Sequence, residues 1–358
     1  MNSRLLYPFV LRGVILGLCA SVFAQAPSSL VVKRAASVRN EKAEDFVLPV
    51  TADTVGNIYL RYSDGWKRPD AVSKISRAGK KVLSFGLSGV PGLSEAEIGS
   101  FCVSGDKLFL LARRRVGPSE IAYIVAFGLD GAFLSSVRID GDLEADQISP
   151  LPSDRFILVG RGRGAPGAGD STPQTAIISS EGKMVESIRL EGDVTPIERE
   201  KRTAANGAVR RDKDFEMSLA ASTIETADDR NVYLMRYGKN GLVFVISPNG
   251  GVIHRFALES PSDSSLKEIK VARHKLAALF VRWKQQTDME ADASFVRVYD
   301  AESGKLLSSY VLDPSIPNLL AAYDGDMGFT FVGPEVTDAH HQAPEDVGRL
   351  RIFEVGPR

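Results

Sequence analysis

Arginine returns at one place in the pattern of this chain. Arg61, Arg113, Arg161, Arg236 and Arg282 each stand at or just past the end of an apolar, β-rich segment. A planar guanidinium grips a carboxylate or phosphate through two parallel hydrogen bonds, so five of them on one rim would form a receptor for a small anion or an acidic protein surface. The offset from the segment end drifts by a residue or two between copies, and neighbouring side chains of an extended strand point to opposite faces. Solvated strand ends are therefore the competing reading.

Other reactive side chains are sparse. The histidines are His254, His274, His340 and His341. Only the last two are adjacent, and adjacent side chains diverge on an extended backbone, so an exposed polar loop is the reading for Asp338 to Pro344. Cys102 lies between Phe101 and Val103 and reads as a buried, inert thiol. No G-x-S-x-G elbow, phosphate loop or C-x-x-C pair occurs, so serine hydrolase, nucleotide-binding and thioredoxin-like functions lack their basic parts. Lys plus Arg number 44 against 45 Asp plus Glu, and no global field favours nucleic acid. Only Trp66 and Trp283 are available for stacking on a sugar or quinone.

The elements that would carry these residues follow a repeat. A β-rich run, a turn closing on glycine and a second apolar run recur five times: Val72–Ser76 with Gly79, Tyr123–Phe127 with Gly131, Thr175–Ser179 with Gly182, Val243–Ser247 with Gly250, and Val296–Asp300 with Gly304. The glycines come at intervals of about 50 residues, one of them longer, which is the period of four-stranded propeller blades. Ahead of each hairpin stands another strand: Asn57–Arg61, Lys107–Leu111, Arg155–Val159 and Asn231–Met235, with looser copies at Lys275–Leu279 and Met327–Phe331. Continuous apolar runs suit strands buried on both faces. The reading is an all-β, six-bladed β-propeller of four-stranded antiparallel blades, approximately 46–88, 96–140, 143–191, 214–259, 264–313 and 315–358.

The sixth unit lacks an outer strand. Leu30 to Lys33 is the unassigned β-like segment, so residues 29–34 are expected to pair with Leu350–Val355 and close the ring, with 25–45 as closing strand and linker. Residues 1–24 read as a cleaved signal peptide: Arg4 and Arg12 precede an apolar run, and Val22 to Ala24 forms the cleavage site. A periplasmic or secreted protein is expected, without a membrane span after cleavage. Arg161 to Pro173 reads as a flexible loop, and Thr195 to Lys213 as a charged excursion between units.

Ala52 to Tyr59 and Asp228 to Tyr233 share an acid, turn, Asn, apolar, aromatic string followed by a hairpin. In this the chain resembles the broad group of NHL-like and gluconolactonase-like six-bladed propellers. The resemblance implies that the ends carrying the arginines open on the ligand face. It also implies, for lactonases of this shape, a central divalent cation held by oxygen ligands, for which Glu97, Glu144, Glu216 and Asn318 are the candidates. These four share no position in the repeat. The leading expectation is a monomeric, non-catalytic propeller that presents a face to a protein or a small anionic ligand, with no cofactor. A metal-dependent, lactonase-like hydrolase and an envelope assembly scaffold are the alternatives.

Overall fold

A computed structural model describes residues 28–42, 45–63, 71–117, 119–141, 143–162, 172–190, 223–236, 241–284, 287–334 and 349–358. The first of its strands is β1 (Ser28–Lys42). Four separate antiparallel sheets of four strands follow in chain order. The first holds β2 (Asp45–Ala52), β3 (Ile58–Ser63), β4 (Ala71–Ile75) and β5 (Lys81–Gly86). The second holds β6 (Glu97–Ser104), β7 (Lys107–Val116), β8 (Ser119–Gly128) and β9 (Phe133–Arg138). The third holds β10 (Leu143–Leu151), β11 (Arg155–Gly162), β12 (Thr172–Ile178) and β13 (Met184–Ile188). The fourth holds β14 (Thr223–Thr226), β15 (Val232–Arg236), β16 (Leu242–Ile246) and β17 (Val252–Ala257).

The remaining strands make a single sheet of eight. They are β18 (Ser265–Ala272), β19 (Lys275–Lys284), β20 (Thr287–Asp300), β21 (Leu306–Leu312), β22 (Leu320–Tyr323), β23 (Phe329–Pro334) and β24 (Arg349–Pro357), joined through β1 in the order β18-β19-β20-β21-β1-β24-β23-β22. This corrects the six separate blades, and with them the NHL-like resemblance. The described architecture is four four-stranded sheets arranged as a propeller plus an eight-stranded sheet that nearly closes on itself. The cause is β1. It runs antiparallel to β24, with Val32 opposite Val355, and also parallel to β21, with Leu30 opposite Leu312. A strand has two hydrogen-bonding edges, and pairing with β24 alone leaves the other edge of β1 free to take β21. The two ends of the sheet, β18 and β22, come into contact. Its halves share one apolar cluster in which Leu279 and Val281 meet Phe329 and Phe331.

Apolar clusters also fill the space between neighbouring sheets. Tyr59, Val72 and Phe85 of the first pack on Phe101, Leu108 and Phe127 of the second. The rings of Tyr59 and Phe85 are 6.2 Å apart and those of Phe85 and Phe127 are 5.9 Å apart. Tilted and edge-on pairs at such distances add about 1 kcal/mol each beyond the area they bury. The buried strands are largely apolar for this reason: every residue of β15 is buried, because a sheet covers each of its faces, and Arg236 at its end is the charged exception.

The hairpin glycines do two jobs. Gly182 has φ 82, a conformation that excludes a Cβ at little cost only in glycine, and a Cβ there would also overlap the Arg138 carbonyl oxygen of the preceding sheet. Gly131 is seated against Leu83 and Gly304 against Phe256 in the same way, while Gly79 is seated against Ser37 of β1. Packing between sheets therefore requires these glycines as much as the turn does.

The string shared by Ala52–Tyr59 and Asp228–Tyr233 is a turn fastening. Asp53 Oδ1 accepts from the backbone N–H of Val55 and Asn57 at 3.1 and 2.8 Å, and Oδ2 accepts from Asn57 Nδ2 and Tyr59 OH at 2.8 and 3.0 Å. Asp229 binds Asn231 through its backbone N–H and Nδ2 at 2.9 and 2.8 Å. The expected signal segment, most of the two long connections, and His340 and His341 lie outside the described residues. No helix among the described residues is long and apolar enough to cross a membrane.

Candidate functional site

The first strand of each four-stranded sheet, together with the two ends of the eight-stranded sheet, surrounds a channel. β2, β6, β10, β14, β18 and β22 touch one another in turn and return to β2. The cavity they enclose has a volume of about 890 Å³.

Five of these strands carry an irregularity. The ladders slip between Val47 and Thr51, Ile98 and Ser100, Ala145 and Gln147, Leu266 and Glu268, and Leu320 and Ala322. A bulge leaves a residue outside the ladder and re-aims side chains. Gly99, Asp146, Lys267 and Ala321 are thereby set free of pairing on four of the strands.

The bulges receive the repeat arginines of the sheet before. Arg61, on β3 and 3% exposed, donates through Nη1 to the Ile98 carbonyl, one residue ahead of the bulge at Gly99. Arg113, on β7, donates through Nη2 to the Ala145 carbonyl at 2.5 Å and to Asp146 Oδ1 at 2.8 Å, at the next bulge. Gly99 makes this path possible, because a Cβ there would stand 2.7 Å from Arg113 Nε. Glu120 Oε1 lies 3.7 Å from the same Nε. Arg61 and Arg113 both line the cavity. Burial, and then the like charge of Arg113, pull the Arg61 guanidinium down to about 10.

The other repeat arginines are not among the lining residues. Arg161 Nε is 4.0 Å from Asp146 Oδ2. Arg236 Nη2 donates to Thr175 Oγ1 at 3.3 Å, and Arg282 Nε donates to Asp292 Oδ2 at 2.7 Å on an exposed surface. Of the oxygen ligands considered for a cation, Glu97 is placed opposite Arg113 and Glu144 opposite Arg161 in their ladders, and Asn318 Oδ1 accepts from Lys267 Nζ at 3.1 Å. None of the three lines the cavity, and Glu216 lies outside the described residues. Among the described residues, no group of three or more His, Cys, Asp and Glu is placed to hold a metal ion.

The wall formed by β14 and β18 holds a cluster that sequence reasoning missed. Lys270 Nζ is bonded to Glu225 Oε1, donates to the Val50 carbonyl at 2.8 Å, and lies 3.6 Å from Glu268 Oε1. Glu268 is 2% exposed, and its Oε2 accepts from the Leu320 N–H at 3.0 Å. Burial raises the Glu268 carboxyl to about 7 against the pull of Lys270. Burial alone would lower the Lys270 ammonium, but Glu225 and Glu268 outweigh it and hold it above its ordinary value. The available signal was the alternation in Glu268-Ile269-Lys270: two charges at i and i+2 share one face of a strand whose Leu266, Ile269 and Val271 are apolar. Cys102 also faces the cavity, its thiol pushed well up by burial and by Glu225, which makes it a poor nucleophile.

No family model and no curated protein matches this chain. Solved structures do. A member of the duf4221 family from Bacteroides vulgatus is 9% identical, with 93% of this chain and 99% of that chain covered and a TM-score of 0.52. A protein of unknown function from Bacteroides caccae is 12% identical over 80% and 94% of the two chains, with a TM-score of 0.47. Virginiamycin B lyase from Staphylococcus aureus is 10% identical over 92% and 100%, with a TM-score of 0.44. At 9% identity the first likeness is one of fold alone.

Proposed function

We propose that this all-β scaffold is a non-catalytic binding protein whose channel accepts a small anionic ligand. One observation carries the reading: Arg61 and Arg113, from neighbouring sheets, line the same cavity close enough for one guanidinium to depress the other. Two like charges held together in a low-dielectric wall are stabilised by a carboxylate or phosphate placed between them. Asp146 and Glu120 already share Arg113, so a ligand would bind in exchange with those contacts and with modest affinity. On the opposite wall the ammonium of Lys270 is already engaged by Glu225 and Glu268, which leaves Arg61 and Arg113 as the cations offered to the ligand.

Calorimetric titration of the purified chain with inorganic phosphate and with succinate tests the reading. Saturable binding that weakens at least tenfold in Arg113→Gln, about 1.4 kcal/mol, is expected. Absence of saturable heat with both probes, or unchanged binding in the variant, would refute it.

A further inference from the structure

The two ends of the eight-stranded sheet meet without a backbone ladder: β18 and β22 are its terminal strands, and they touch across a seam. Two hydrogen bonds from adjacent residues of β18 cross that seam. Glu268 Oε2 accepts from the Leu320 N–H at 3.0 Å, and Lys267 Nζ donates to Asn318 Oδ1 at 3.1 Å. From the same strand Lys270 reaches Glu225 on β14 and the Val50 carbonyl on β2, so one buried cluster ties four of the channel strands together. We propose that this seam is a proton-sensitive joint, with Glu268 as the sensor and Lys270 as its charge partner, and that it loosens as pH rises through neutrality.

The charges that face Glu268 come from each packed element. β18 supplies Lys270 and Lys267, β14 supplies Glu225, and β22 supplies the Leu320 N–H. On β2 the contribution is the Val50 carbonyl that Lys270 also holds. Lys267 is itself pressed toward its neutral form by burial, with Glu268 opposing, and its Nζ lies 6.0 Å from the Trp283 ring centre. With Glu268 protonated, Lys270 keeps one ionic partner among the described residues, Glu225, to which it is already bonded. With Glu268 ionised, one ammonium serves two carboxylates, and the second negative charge sits in a site 2% exposed to water.

The direction follows from linkage. Glu268 titrates in the folded chain near 7, above the 4.5 of an unperturbed side chain, so the fold is favoured while it holds its proton. That contribution is complete below 4.5 and is lost progressively as pH rises from there to about 7. The unfolding equilibrium constant should rise by more than about tenfold across this window from Glu268 alone.

Urea unfolding of the full chain from pH 4.5 to 8, set beside Glu268→Gln, tests the proposal. The isostere keeps an acceptor for Leu320 but cannot ionise, so the difference between the two profiles should show the loss and the variant should lack it. Parallel profiles would overturn the idea. Should the variant not fold, carboxyl-carbon NMR of the unaltered chain labelled at Glu reads the same group, and a resonance with a midpoint near 7 is expected. Midpoints that all lie below about 5.5 would refute it. To place the effect at the seam, the fluorescence of Trp283 in a Trp66→Phe background should shift with the same midpoint, and a constant emission would overturn that placement.

Discussion

Replacing Arg113 by methionine keeps most of the side-chain volume and removes the guanidinium that joins the second sheet to the third. The structure sets the size of the effect. Arg113 and Asp146 are 17% and 25% exposed and meet at 2.8 Å. Opposite unit charges a few ångströms apart attract by about 4 kcal/mol at the effective dielectric of a partly buried site. Desolvation and residual exposure to water reduce the net coupling to about 1–2 kcal/mol. The substitution also removes the donor to the Ala145 carbonyl, worth about 1 kcal/mol, so Arg113→Met should cost about 2–3 kcal/mol in all. Asp146→Asn should cost less, because Arg113 retains the Ala145 carbonyl as acceptor and Glu120 as an ionic neighbour, whereas among the described residues Asp146 without Arg113 retains Arg161 Nε at 4.0 Å. A double-mutant cycle by urea unfolding at pH 7 measures the coupling directly. A coupling under about 0.5 kcal/mol, or a greater loss for Asp146→Asn than for Arg113→Met, would refute the assignment of this pair as a fastening between sheets.

Asp53→Ala removes four hydrogen bonds and should lower stability by about 2–3 kcal/mol, more than Asp229→Ala, which removes two; comparison of urea midpoints decides the order. Gly182→Ala combines a positive φ with overlap of the Arg138 carbonyl and should destabilise by about 3 kcal/mol or more, read from the melting temperature. With the thiol pushed up by burial, Cys102 should resist iodoacetamide at pH 8 in the folded chain and react at the ordinary rate in urea, followed by mass spectrometry.

The strands were legible because local chemistry repeats. Each glycine at the third turn of a unit precedes an apolar run, and Gly79, Gly131, Gly182, Gly250 and Gly304 all adopt positive φ. The channel was less so. Arg61 and Arg113 were visible as a recurring residue type, but the carbonyl groups they grip, Ile98 and Ala145, belong to the following sheet. A backbone acceptor leaves no trace in residue identity. Lys270 was harder still, because its partners Glu225 and Val50 lie 45 and 220 residues away in the chain.

Residue order alone settled that this chain is built of hairpins, because turn geometry and strand burial depend on neighbours a few positions apart: a glycine where φ must be positive, an aspartate that can cap its own turn, an apolar run between sheets. How the units join was decided only in three dimensions. β1 offers two edges, and which partners it takes depends on what lies beside it once the chain has come round, with Ser28 to Leu30 along β21 and Leu30 to Ser37 along β24. That choice fuses the last strands into one sheet of eight and leaves β18 against β22 at a side-chain seam. Charges scattered along the chain meet in the channel for the same reason, since the bulges that aim them are properties of a ladder between strands and not of either strand alone.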